Sequence, residues 1–394
     1  MQQRLESLES LDTLYNSAGP DDVDAVLRKK SLDVRDFSVL LSRAATSRLE
    51  VMALRAKNET LRHFGLAKHM FAPLYLANYC TNQCVYCGFH AALHIKRQAL
   101  GAEEIDNEAR ALAATGLRRV LALTGDAPKR TGAAYIAAGV AILARYFPSV
   151  GIEVQALTED EYALVAASGA DSMTMFQETY NKSLYARLHP GGPKRDFSFR
   201  LGAPERAARA GMRGITLGVL LGLDRNWRFD MLRLMVHGQW LQRRYPHLEL
   251  SFSLPRIRPL SSKDNRASAF SAYPITDKEF VQALVALRCC MPHAGITLST
   301  RESAFMRDRL LPLGVTKVSA GVCTGVGGYA NAQEKKEAQF VIDDERSVDE
   351  MARDIQRLGY QPVFADWLLP ADGTLALAKA LHRSLGSPAQ APGL

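Results

Sequence analysis

The residues best suited to chemistry are three cysteines set close together. They stand in the run Asn78-Tyr79-Cys80-Thr81-Asn82-Gln83-Cys84-Val85-Tyr86-Cys87-Gly88-Phe89, with the spacing C-x3-C-x2-C. Three thiolates on one loop can hold three irons of a four-iron, four-sulfur cluster and leave the fourth iron open to another ligand. A structural zinc site would need four protein ligands, and the nearby candidates for the fourth are His90 and His94. Spacings of four and three would also put the cysteines on one face of a buried helix. The polar residues Thr81, Asn82 and Gln83 between them weigh against that, and the cluster is the favoured reading.

Such a loop needs a frame. Residues 1–70 carry helical periodicity and no strand signal: Asp21 and Asp22 can cap a helix bearing Val23, Val26 and Leu27, and Gly65 can end another. From residue 71 onward, short β-rich runs alternate with helical ones. The candidate strands are 71–78, 120–124, 152–156, 172–177, 214–221, 249–254, 296–299 and 317–320. Capping boxes at Thr158/Glu161, Thr276/Glu279 and Ser347/Glu350 open helices between or after them. Repeated strand–helix units predict an α/β fold, a (β/α)8 TIM-type barrel over 71–370 with a helical N-terminal segment, 1–70. A doubly wound open sheet is the alternative. Residues 371–394 are expected to form a C-terminal helix and a disordered tail.

In a barrel of this kind, chemistry sits where strands run into the following loops. The cysteine loop follows the first candidate strand. Gly125 and Asp126 end the second, Glu178 the fourth, Arg301 the seventh and Ser319 the eighth. A carboxylate can accept from vicinal hydroxyls, and an arginine fork suits a bidentate carboxylate contact. Each has a plainer reading: Asp126 as a helix cap, Glu178 in a rim salt bridge, and Arg301 paired with Glu302 or Asp308.

The cysteine motif resembles that of the radical S-adenosylmethionine superfamily. Further segments fall in order behind it: QETY at 177–180, GVLLGL at 218–223, PRIRP at 255–259, STRE at 299–302, GGYA at 327–330 and PVFADW at 362–367. Together they resemble the aromatic amino-acid lyase branch, and within it the 2-iminoacetate synthase family of tyrosine lyases. The resemblance implies a 4Fe-4S cluster on Cys80, Cys84 and Cys87, with S-adenosyl-L-methionine chelating its open iron. Tyr86 would then lie near the adenine, Gly125 and Asp126 near the methionine amino group, and Glu178 near the ribose. Asp126 is one methylene shorter than the acid usual in relatives. Arg301 would bind the substrate carboxylate, and Ser319 could hold the same headgroup. The implied reaction is cleavage of the Cα–Cβ bond of L-tyrosine to 2-iminoacetate and p-cresol for thiazole formation in thiamine biosynthesis. It implies thiazole synthase and a flavodoxin-type or other one-electron donor as partners. A related lyase acting on tryptophan and an RNA-modifying relative are the rival readings. An iron–carbonyl-building tyrosine lyase is disfavoured because no cysteine follows Cys323.

Composition narrows the classes further. The 394 residues are 47% hydrophobic and 23% charged, ordinary globular usage that excludes wholesale disorder. No apolar run reaches membrane-spanning length, and the opening MQQRLESLESLD lacks the apolar core of a secretory signal, so a cytoplasmic protein is expected. The net charge of +8 is spread among acids in no concentrated block, so no nucleic-acid partner is expected. Cys289, Cys290 and Cys323 are expected to be bystanders, as are His189, His237 and His293.

Overall fold

The computed structural model describes residues 1–258, 272–330 and 339–364. The expected C-terminal helix and tail at 371–394 lie outside these residues, as does the end of the PVFADW segment. Eight parallel strands close into a barrel: β1 Ala67–Ala77, β2 Arg119–Thr124, β3 Ser149–Glu153, β4 Ala170–Glu178, β5 Gly214–Val219, β6 Glu249–Ser253, β7 Gly295–Leu298 and β8 Lys317–Ser319. Each pairs with its successor, and β1 pairs with both β2 and β8, so the ring has no open edge there. That is the (β/α)8 arrangement, and the open-sheet alternative is set aside.

The helices between strands form where the sequence places their caps. Thr158, Thr276 and Ser347 each accept from the backbone N–H three residues on, and Glu161, Glu279 and Glu350 reach back to the cap residue. The N-terminal helix Pro20–Arg28 differs in detail from expectation. Gly19 is its cap residue, and Asp22 serves from inside the first turn by accepting from the Gly19 N–H at 2.8 Å.

Three features of the strands depart from the sequence reading. β1 begins at Ala67, inside the segment expected to be wholly helical. A ninth strand, β9 Gln361–Val363, pairs with Ala67, Lys68 and His69. The Arg118 N–H also donates to the Phe364 carbonyl, so β9 fills the gap between β1 and β2 at the barrel's N-terminal end. This pairing joins residues almost three hundred positions apart, so no local pattern announces it. β3 is shifted: it runs Ser149–Glu153 rather than 152–156, because its register against β2 pairs Arg119 with Ser149 and Leu123 with Glu153. The local β propensity of Val154 loses to that ladder, and the shift makes Glu153 the strand's last residue.

The N-terminal helices pack on the outside of the barrel helices, not over its mouth. Arg228 donates to the Leu41 carbonyl at 2.6 Å, Gln282 donates to the carbonyls of Leu40 and Ser42, and Arg233 is paired with Asp12. Arg228 and Gln282 thereby satisfy carbonyls at the end of the helix Val34–Leu40 that would otherwise be buried without donors. No helix of the described residues is long and apolar enough to cross a membrane.

Candidate active site

The cysteine segment leaves β1 as a loop, with no helix between Asn78 and Gln98. The helix-face reading therefore does not hold. Asn78 clamps the base of the loop: its side chain donates to the Lys96 carbonyl at 2.8 Å and accepts from the Gln98 N–H at 2.6 Å. Arg97 spans its interior, donating to the carbonyls of Asn78, Phe89 and His90. The segment after β4 holds the far side, with Gln83 N–H on the Gly191 carbonyl and Val85 N–H on the Leu188 carbonyl. A loop with so many fixed backbone groups presents its thiols in one arrangement.

Cys80, Cys84 and Cys87 form no disulfide and are buried or half-buried. Burial raises the Cys80 thiol to about 12, with Asp126 and Cys87 adding to it, and burial likewise lifts Cys84. Such thiols become thiolates only beside strong positive charge, which a bound metal supplies. Among the described residues no three His, Cys, Asp or Glu side chains converge on a point that one ion could occupy. A single tetrahedral zinc is therefore a poor match, whereas a cluster takes each thiolate on a different iron. Three cysteines on a rigid loop at the barrel mouth fit the cluster.

Beneath the loop the barrel lumen holds a cavity of about 210 Å3. Tyr86, Cys87, Glu178, Arg301 and Ser319 line it, so five of the nine expected site residues meet on one wall system. Gly125 and Asp126 stand behind the cysteine loop. A Cβ on Gly125 would overlap the Tyr79 carbonyl, and Asp126 accepts from Asn82 at 2.7 Å while its carbonyl receives Thr81. Asp126 does not cap the following helix, whose cap residue is Gly132.

Glu178 has φ 70, the one non-glycine residue at positive φ among those described. That conformation costs of order 1 kcal/mol and needs its surroundings to hold it. Asp230 does so, accepting from the Tyr180 N–H at 2.7 Å and from the Thr179 hydroxyl at 3.0 Å. Glu178 also forms the ion pair its plainer reading anticipated, with Lys194 at 2.6 Å, but inside the lumen. Lys194 in turn donates its backbone N–H to Asn82, so the segment after β2, the cysteine loop and Glu178 are bonded in series.

Arg301 makes neither anticipated salt bridge. Glu302 is taken by Arg256 and lies 3.6 Å from Arg258, and Asp308 pairs with Arg346. The Arg301 guanidinium lies 3.5 Å from the Phe340 ring centroid, which packs its face and leaves its edge to the cavity. The Ser319 hydroxyl is buried with no hydrogen-bond partner. A polar atom left so costs stability unless something binds there. Arg307 donates to the Ser319 carbonyl and is itself paired with buried Asp344, which fixes the end of β8.

Several cavity residues were not singled out from sequence. Glu153 is one, hidden by the misplaced end of β3. Tyr75, on β1, is another, donating to Gln339 at 2.8 Å. His189 is a third. Its Nδ1 sits 2.8 Å from the Tyr185 carbonyl and therefore carries the proton, so Nε2 accepts from the Tyr86 hydroxyl at 2.6 Å. Burial, with Lys194 adding to it, drops His189 to about 2, so it stays neutral. The only sequence signal for these was position near strand ends. His237 is buried against the Tyr180 hydroxyl, and Cys289 and Cys290 pack in the helix Asp277–Cys290.

Comparison with known proteins agrees with this geometry. Residues 74–235 match the radical SAM superfamily model, and residues 253–361 match the biotin and thiamin synthesis associated domain. The chain is 39% identical to the 2-iminoacetate synthase of Escherichia coli over 88% of this chain and 90% of that one. It is 38% identical to the 2-iminoacetate synthase of Salmonella typhimurium over the same shares. Among solved structures, the FeFe-hydrogenase maturase HydG from Carboxydothermus hydrogenoformans superposes with TM-score 0.85 at 27% identity, covering 97% of this chain and 90% of that one.

Proposed function

From its membership of the 2-iminoacetate synthase family of radical SAM enzymes, we propose that the chain is a carbon–carbon lyase that cleaves the Cα–Cβ bond of L-tyrosine to 2-iminoacetate and p-cresol. The observation that carries the reading is the lumen itself: a cysteine loop fit for an open-iron cluster stands directly over a cavity with an unpaired arginine and an unpartnered serine hydroxyl.

Cys80, Cys84 and Cys87 would hold a 4Fe-4S cluster, which together with S-adenosyl-L-methionine would supply the radical chemistry that removes a hydrogen atom from the substrate amino group. The remaining tasks belong to side chains. Tyr86, held by His189, sets an aromatic edge toward the adenine. Glu178, aimed by its positive-φ turn and Asp230, accepts from the ribose hydroxyls. The Gly125 backbone receives the methionine end, and Asp126 steadies the cysteine loop beside it through Asn82. Arg301 takes the substrate carboxylate on its fork, with the Ser319 hydroxyl as a further donor. The closed barrel wall keeps water and stray hydrogen donors from a primary radical.

The product imine hydrolyses in water, so a thiazole synthase that consumes it is the natural partner, in a cytoplasmic thiamine pathway. A flavodoxin-type protein or another one-electron donor reduces the cluster. The deciding experiment is anaerobic: the reconstituted protein receives S-adenosylmethionine, dithionite and either tyrosine or tryptophan. Release of p-cresol and 5′-deoxyadenosine with tyrosine is expected; tryptophan consumption without p-cresol from tyrosine would move the chain to the rival lyase.

A further inference from the structure

Around the upper lumen, the described residues show both engaged and unengaged charges. Glu178 is taken by Lys194, and Glu302 by Arg256. Arg301 and Glu153 both line the cavity, and among the described residues neither carboxylate nor guanidinium has an ion-pair or side-chain hydrogen-bond partner. They do not pair with each other, because they come from opposite walls. Glu153 ends β3 and Arg301 follows β7, and in a ring of eight these strands are separated by three others on either side. Ser319, with its orphaned hydroxyl, ends β8 and so belongs to the Arg301 wall.

A half-buried cation and a half-buried anion that line one cavity from opposite walls each carry a desolvation cost that a ligand bearing both charges would relieve. An α-amino acid zwitterion is such a ligand. The Arg301 wall suits its carboxylate, which leaves its ammonium for the β3 wall. We propose that Glu153 is the receptor for the substrate ammonium and accepts one of its protons. The ammonium loses one proton and becomes a neutral amine, the carboxylate becomes a neutral acid, and no electron moves. The inference rests on the lyase reading, in which a hydrogen atom leaves that same amine.

The surroundings support the proton transfer. Burial raises Glu153 to about 7, Glu178 pushes in the same direction, and Arg301, Lys194 and Arg200 oppose it. A carboxyl so placed is available in both protonation states near neutral pH, the condition for an effective acceptor. The charged side chains that act on it from β4, from the segment after β4 and from beyond β7 are thus Glu178, Lys194, Arg200 and Arg301, and the titratable Tyr75 of β1 shares the cavity with it.

The test compares two ligands that differ only in the amine: L-tyrosine and 3-(4-hydroxyphenyl)propanoate. Equilibrium binding of each is measured on the reconstituted protein with S-adenosylmethionine, for the parent, Glu153→Gln, Glu153→Asp and Arg301→Gln. Glu153→Gln is expected to weaken L-tyrosine by about tenfold and to leave the propanoate within about twofold. Glu153→Asp should fall between parent and Glu153→Gln for tyrosine, and Arg301→Gln should weaken both ligands. Unchanged tyrosine binding in Glu153→Gln, or equal loss of both ligands, overturns the assignment. Retained propanoate binding shows that the variant's lumen is intact. A parent that binds tyrosine but releases no p-cresol defeats the lyase reading alone, since the pair of ligands still decides the role of Glu153.

Discussion

At the scale of single residues, the site separates groups that hold from groups that orient. Cys84 is buried and ringed by fixed backbone, so Cys84→Ala should fold yet lose the cluster; iron and sulfide analysis after anaerobic reconstitution is expected to show a clear loss against the parent. Arg301 is the sharper case. Its planar fork can take both oxygens of a carboxylate, and its face is packed by Phe340. Lysine keeps the charge but neither the fork nor the stacking. Arg301→Lys should therefore raise the tyrosine concentration needed for half-maximal p-cresol release by about tenfold, while cofactor cleavage without tyrosine persists. An unaltered tyrosine dependence would remove Arg301 from the substrate site. Tyr86 and His189 show how a side chain that touches no reactant still counts: a neutral histidine with a fixed tautomer holds the phenol that sets the ring.

At the scale of elements, the turn after β4 concentrates the design. Glu178 sits at φ 70, and Asp230, from the helix Trp227–Arg244, accepts from the two residues that follow it. Burial raises Asp230 to about 8 from an ordinary 3.8, with the Tyr180 backbone N–H opposing. A folded-state value above the unfolded one means that the native state holds a proton which the unfolded chain has released. The stabilising contribution is complete below about pH 4 and is lost as pH rises through 8. Asp230→Asn keeps the acceptor oxygen and removes the titration. Its urea midpoint relative to the parent should accordingly climb between pH 5 and pH 8; a constant difference across that range would show that Asp230 does not titrate there. The cysteine loop is the complementary element, with no regular structure of its own. Its shape comes from Asn78, Arg97 and its contacts with Gly191 and Asp126.

At the scale of the whole molecule, the barrel joins two walls whose charges are complementary to one ligand, and the N-terminal helices brace it from outside. Because the proposed substrate contacts come from β3, from the segment after β7 and from β8, which only the closed barrel brings around one lumen, an unfolded chain should have no affinity for it. Saturating L-tyrosine with S-adenosylmethionine should stabilise the reconstituted protein by about 2.7 kcal/mol at a hundredfold excess over the dissociation constant. Thermal unfolding with and without ligand measures this. No shift would mean that the lumen does not bind tyrosine in the assembled state. Much of the basic content is spent on ion pairs inside and beside the barrel, as with Arg307 and Arg346 on Asp344, and Arg213 on Asp171 and Glu249.

The sequence by itself determined the cysteine loop, the alternation of strands and helices, the capped helix starts and the strand-end positions of Glu178, Arg301 and Ser319. These are local facts: spacing, periodicity and cap chemistry act over a few residues, and a reader of the chain sees them directly. Only the tertiary structure decided that Arg301 is unpaired while Glu302 is not. Glu302 is bound by Arg256, from the segment after β6, and adjacency in sequence carries no information about which neighbour wins an ion pair. The same holds for Glu153. Its place at the end of β3 follows from register against β2, a pairing between segments some thirty residues apart. The ninth strand depends on contacts far longer still. Charge balance across the lumen is a property of the closed ring, and closure is what no single segment contains.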